Sequence, residues 1–135
     1  GVNARISGLK DKPIRYIVDD CFKFVEREIR RGNKYDAIIM DPPSYGRGPR
    51  GEMWKIENKL FELVELTSKV LSDDPLFYLI NSYTTGLQPQ VIKNILQKTI
   101  AKDRGGQVTA YEVGLNTQED GVILPCGNSG MWINK

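Results

Sequence analysis

The stretch YDAIIMDPPSYGRGPRG, residues 35–51, constrains this chain more than any other. Four apolar residues, Ala37 to Met40, run together as in a strand covered on both faces. The run then stops on a carboxylate, Asp41, and on two prolines, Pro42 and Pro43. Proline fixes φ and has no N–H to give to a ladder, so the strand must end in a stiff corner. Asp41, which precedes a proline, is biased toward extended geometry. Two readings of the corner stay open on pattern alone. In one, the prolines only end the strand and Tyr45 covers the edge of the core. In the other, the Asp41 carboxylate and the proline carbonyls face a pocket as acceptors for an amino group or a base edge. Tyr45 would then stack on that base.

Around this stretch, strand and helix patterns alternate. IRYIVDD (14–20) reads as a strand that ends on Asp19 and Asp20. Residues 21–32 have helical spacing, with Phe22, Val25 and Ile29 on one face and Gly32 as a stop. YDAIIMD is the second strand. Ile56, Leu60, Leu63, Val64 and Val70 mark a helix after the glycine loop. PLFYLINSY (75–83) is a third strand, and Pro89 opens a helix whose stripe is Ile92, Ile95, Leu96 and Thr99. QVTAYEVGLNT and GVILPCGNSGMWINK read as antiparallel strands joined by a turn at 118–121. The order β-α-β-α-β-α-β-β predicts an α/β fold, with a parallel sheet flanked by helices on both faces and finished by an antiparallel hairpin. Ligands on such sheets bind outside the carboxyl ends of the strands. That is where Asp19, Asp20 and Asp41 fall.

Composition narrows the chemistry. At 135 residues the chain is one domain, residues 1–135. It has no histidine, so neither a histidine base nor a histidine-ligated metal is available within it. The two cysteines, Cys21 and Cys126, have no metal-ligand spacing. The net charge of +2 permits a nucleic-acid partner without arguing for one. No membrane-spanning segment is expected, and a reduced, cytoplasmic setting is.

The DPPSY motif, with VDDCFKF ending the strand before it and NARISGL resembling the end of the preceding helix, resembles the Rossmann-fold S-adenosylmethionine-dependent methyltransferases. Within these, it is similar to the branch related to bacterial 23S ribosomal RNA large-subunit methyltransferases. Their signature is Asp-Pro-Pro, a variable residue, then Phe or Tyr. Asp41, Pro42, Pro43, Ser44 and Tyr45 fill those places. The resemblance runs from about Asn3 to Trp132. It implies methyl transfer from S-adenosylmethionine to a nucleic-acid base, with ribosomal RNA as the expected partner. Asp20 would accept from the cofactor's adenine amino group, and the Cys21 N–H would meet the ring. Asp20 also fits a plain helix N-cap, and both roles can hold together. Asp41 and Pro42, with Pro43 and Tyr45, would line the catalytic place where sulfonium methyl and substrate meet.

Two departures qualify this. No Gly-x-Gly turn follows a strand early in the chain, so the cofactor site is expected to be partial, as in the C-terminal part of a longer enzyme. A non-catalytic binding or scaffolding module is the rival that this departure favours. The branch's cysteine nucleophile for cytosine carbon 5 is also missing: INSYTTG has Tyr83 in that region. Cys126, with no base or cation evident beside it, reads as an unreactive thiol. Nitrogen or oxygen methylation, which needs no covalent step, fits better. The loop YGRGPRGEMWK adds Arg47, Arg50 and Lys55 to Tyr45 and Trp54. It is either a solvated loop with Trp54 against its own helix, or an RNA-binding cluster. Finally, the family's sheet order is 3-2-1-4-5-7-6, and this chain supplies equivalents of 3, 4, 5, 6 and 7. Its sheet should lack the first two strands, between IRYIVDD and YDAIIMD. Either IRYIVDD closes the gap, or residues 1–32 are placed differently, or a neighbouring chain, as in a homodimer, covers the edge.

Overall fold

The computed structural model describes residues 2–43, 45–47, 53–83, 87–118 and 121–135, with the backbone alone described at 45–47 and 53–58. Among the described residues the main sheet has four strands in the order β1-β4-β6-β5. These are β1 (Ala37–Met40), β4 (Phe77–Ser82), β5 (Gln107–Asn116) and β6 (Ile123–Ile133). β1 and β4 are parallel, with Ala37 opposite Phe77 and Met40 opposite Ile80. β6 inserts antiparallel between β4 and β5. This is the 4-5-7-6 part of the sheet order implied by the resemblance. Two short strands, β2 (Tyr45–Arg47) and β3 (Met53–Lys55), form a separate antiparallel pair.

The helices follow the sequence spacing closely. α2 (Cys21–Arg31) starts at the Asp20 cap and stops at Gly32, whose φ of 72° is costly for any residue with a Cβ. α3 (Ile56–Ser68) buries Leu60, Leu63 and Val64, and Val70 is buried just past its end. α4 (Pro89–Lys98) opens at its proline and buries Ile92 and Leu96. At its end the Thr99 hydroxyl donates to the Ile95 carbonyl at 2.7 Å. There the chain bends into a further short helix, α5 (Ile100–Arg104), which continues what the spacing shows as one helix. A first short helix, α1 (Val2–Ile6), buries nothing.

One face of the sheet holds the core. Tyr78, Ile80 and Trp132 are fully buried with Leu60, Val64, Ile92, Leu96 and Ile100 from the helices. Trp132 donates its Nε1–H to the Gly105 carbonyl at 2.7 Å, which meets the polar demand of the indole inside that core. Helices on both faces were the expectation, and here the structure differs. The opposite face carries half-buried Leu79 and Met131, with Ile39 and Ile133 exposed. α3 and α4 pack on the Tyr78 side, and no described helix covers the other. The nearly continuous apolar run of β1 is thus covered on one side only: Ile39 is 64% exposed.

The second difference is at residues 14–20, where a strand was expected. They form no strand, and Val18 is fully exposed. β-branched and aromatic residues favour a strand only against a neighbour that takes the ladder hydrogen bonds. No described strand lies beside this segment, and it does not close the gap to β1. Among the described residues the second edge of β1 is unpaired. No helix among them is long and apolar enough to cross a membrane.

Candidate functional site

An open cleft of about 710 Å³ lies along the free edge of β1. One wall is the segment 15–25, with Arg15, Asp19, Asp20 and Cys21. The other is the end of β1, from Ile38 to Pro43. Leu63 and Thr67 of α3 also line it. The cleft therefore gathers Asp20, Cys21, Asp41, Pro42 and Pro43, five of the residues singled out in the sequence. They come from two segments about twenty positions apart. Tyr45 and Arg47 lie in β2, where Tyr45 pairs with Lys55 by backbone alone; Arg50 falls outside the described residues. Trp54 and Lys55 are in β3, their side chains likewise outside the description.

Local chemistry explains how the Asp20 wall is held. Asp20 is extended at φ −66° and ψ 127°, and its Oδ1 accepts the Lys23 backbone N–H at 3.1 Å. This is the N-cap arrangement, which leaves Oδ2 without an acceptor duty in the cap. Cys21 follows as the first helical residue, and its N–H has no partner within the helix. Acceptor and donor are thus neighbours on the cleft rim. Asp19 is braced from beside them. It accepts from the Arg27 guanidinium and, at 2.8 Å, from the Asp20 N–H. These two contacts, the Arg27 one foremost, hold its carboxyl below the usual value. Arg27 also lies over the Phe24 ring, 5.8 Å from the centroid.

The far end of α2 is tied down by a second carboxylate. Glu28 is 3% exposed and accepts from the Tyr35 hydroxyl at 2.5 Å and the Asn33 amide at 2.6 Å. The Tyr35 bond, then the Asn33 bond, depresses the Glu28 carboxyl, and the same contact with Glu28 raises the Tyr35 phenol. Because Tyr35 leads into β1, this clamp sets α2 against the strand that carries Asp41. Beneath the cleft, the hydroxyls of Thr67 and Tyr78 lie 2.5 Å apart, and Tyr78 reaches Met40 Sδ at 3.6 Å. Burial raises the Tyr78 phenol well above its ordinary value, so it stays neutral.

Sequence reasoning missed two parts of this region. Arg15 lines the cleft, a single cation inside an apolar stretch that pattern assigns to a strand interior. At the carboxyl end of β4, Asn81 Oδ1 accepts from the Ser129 hydroxyl at 2.6 Å, a pairing 48 residues apart that only the β4–β6 register reveals. Cys126 donates its thiol to the Leu124 carbonyl at 3.5 Å and takes no part in the cleft.

A sheet ordered β1-β4-β6-β5, with an acid and two prolines at the end of β1 and a capped helix facing them, decides the family resemblance. The fold is that of the S-adenosylmethionine-dependent methyltransferases. A methyltransferase of this class from Agrobacterium tumefaciens superposes with a TM-score of 0.87 at 30% identity, over 98% of this chain and 44% of that one. SMU.776, assigned as a methyltransferase and solved with SAH, gives 0.72 at 17% identity over 98% of this chain and 35% of its own. In sequence, the ribosomal RNA large subunit methyltransferase K of Neisseria meningitidis is 20% identical over 108 residues. That covers 75% of this chain and 30% of the Neisseria protein. The chain thus spans less than half the length of each of these three proteins. No family model matches it.

Proposed function

We propose that the protein carrying this chain transfers a methyl group from S-adenosylmethionine to a base of ribosomal RNA, and that the cleft is the shared edge of its cofactor and target sites. One observation carries the reading: the cleft brings Asp20 and Cys21 opposite Asp41, Pro42 and Pro43. The similarity to ribosomal RNA methyltransferase K supports the substrate class.

The donor set suits a purine edge. Adenine offers an amino donor beside a ring-nitrogen acceptor; the Asp20 carboxylate and the Cys21 N–H present the complement, acceptor beside donor. Phe22 and Val25 from α2 and Ile38 from β1 give apolar cover for the ring faces. The cofactor brings a methyl group on a sulfonium, already a good leaving group, so little acid–base help is required. The chain's part is placement, which accounts for most of the rate in such a transfer. Asp41 and the carbonyl at Pro42 act as fixed acceptors that orient the nucleophilic group, and Pro43 stiffens the corner behind them. The corner cannot drift because two consecutive φ angles are locked. Arg47 and Arg50 are assigned to RNA phosphates, and Tyr45 to the target base.

The test is methyl transfer. Full-length protein, radiolabelled S-adenosylmethionine and undermethylated ribosomal RNA are expected to give labelled RNA. Asp41→Ala is expected to lower turnover by roughly 100-fold or more without loss of fold. Wild-type protein that binds S-adenosylmethionine but labels no RNA overturns the substrate, and near-wild-type turnover by Asp41→Ala overturns the role of Asp41.

A further inference from the structure

Just past the end of β4, the chain delivers Tyr83 with 60% of its surface exposed. The ring is nevertheless held. A Cβ at Gly127 of β6 would lie 2.7 Å from Tyr83 Cδ1, 3.2 Å from Cε1 and 2.5 Å from the Ser82 carbonyl oxygen. A side chain at 127 would meet both the Ser82 backbone and the tyrosine ring, so glycine there lets the two lie against the β6 backbone. Among the described residues the Tyr83 hydroxyl has no hydrogen-bond partner, so neither burial nor a polar contact accounts for an aromatic residue here.

Register relates this ring to the corner. Met40, the last residue of β1, is opposite Ile80 of β4, so Asp41 follows one residue past the end of β1 and Tyr83 one residue past the end of β4. Carrying the strand alternation one residue past each strand end would put Asp41 and Tyr83 on the face of Asn81. Two residues of rise and one interstrand spacing separate Tyr83 from Asp41 by roughly 8 Å between Cα atoms. That leaves room for one planar ring lying on Tyr83 with its edge toward Asp41. Asn81 sits between them. Its Oδ1 is taken by Ser129, so what the amide has left to offer is its N–H pair.

We infer that Tyr83 is the stacking platform for an unpaired base of the target RNA, with Asn81 as a donor to that base's edge. The inference rests on the methyltransferase reading above and adds residues that the Asp-Pro-Pro motif does not contain. A single base on an aromatic ring is worth enough for one substitution to be measurable. Aromatic stacking suits single-stranded targets because each base has a π face.

Equilibrium binding of a fluorescent single-stranded RNA to the full-length protein tests it. Tyr83→Ala is expected to weaken binding by about 5- to 150-fold, the effect of losing one stacked base. Tyr83→Phe, which keeps the ring, should stay within about twofold of wild type. Gly127→Ala, which keeps Tyr83 but displaces its ring, should weaken RNA binding while leaving S-adenosylmethionine affinity unchanged. Tyr83→Ala with wild-type RNA affinity, Tyr83→Phe as weak as Tyr83→Ala, or no RNA binding by the wild-type protein overturns the inference. RNA that binds through Tyr83 but is never methylated sinks the methyltransferase reading and leaves the platform standing.

Discussion

Asp20 is asked to do two things, and three substitutions separate them. As the cap of α2 its Oδ1 accepts one backbone N–H at 3.1 Å in an exposed setting. Removing a capping oxygen costs about 0.5–2 kcal/mol, typically near 1. At roughly 2.1 cal/mol/K per residue, 135 residues unfolding together have an unfolding entropy of about 0.28 kcal/mol/K, so within that unit 1 kcal/mol lowers Tm by about 3.5 °C. Asp20→Ala should therefore lose roughly 2–7 °C. Asp20→Ser and Asp20→Asn keep an oxygen at the cap and should stay within about 1–2 °C of wild type. The adenine role predicts a different order. Asn keeps an acceptor at the reach of the aspartate; Ser is too short, and Ala has none. S-adenosylmethionine affinity of the full-length protein should fall about tenfold for Ser and Ala and less for Asn. Differential scanning calorimetry and isothermal titration on the same three variants give both orders. Ser as unstable as Ala would refute the cap. Affinity that follows Tm across the series, with Ser like wild type, would refute the adenine contact.

Other parts of the fold carry expectations of their own. Gly130→Ala should destabilise the domain by about 1–3 kcal/mol, because its Cβ would lie 2.3 Å from Ile92 Cγ2 inside a filled core; an unchanged denaturation midpoint contradicts the packing. The Glu28–Tyr35 clamp should weaken at both pH extremes. The folded Glu28 carboxyl lies below its ordinary 4.5, so its contribution is present above that value and is lost as pH falls from 4.5 through the folded value. The folded Tyr35 phenol lies above its ordinary 10.0, so its contribution is present below that value and is lost as pH rises past it. Tyr35→Phe should flatten both limbs of the stability–pH curve, and limbs identical to wild type would rule the clamp out. The 135-residue chain by itself should bind S-adenosylmethionine weakly or not at all, since its sequence has no glycine turn after an early strand; micromolar affinity in calorimetry contradicts this.

Much of the fold was legible because local and global preferences agree in it. Pro89 at a helix start, Gly32 past a helix end and the antiparallel pair of residues 107–116 and 123–133 all read correctly from neighbours in sequence, the turn between them lying partly outside the described residues. Residues 14–20 did not, although the composition of IRYIV favours a strand as much as that of β4 does. A strand is a property of a pair, and composition reports only one member. The bare face of β1 was hidden for the same reason, since an apolar run records what a strand could bury and not what lies against it. The place of Asp41, Pro42 and Pro43 at the end of β1 was legible because Asp-Pro-Pro restricts its own backbone. Asn81 with Ser129 and Tyr83 with Gly127 were not, because each pair meets only through the register of β4 and β6.

The prolines after Asp41 also limit what can be added to the sheet. From Ala37 to Met40 the outer edge of β1 offers N–H and carbonyl groups to an incoming strand. Beyond Asp41, two successive residues have no N–H to offer. A strand joining this edge can zip up to the carboxylate and no further. Whatever completes the sheet there must leave its mouth unsealed, so the place where a methyl group would change hands cannot be closed by the same pairing that stabilises the strand below it.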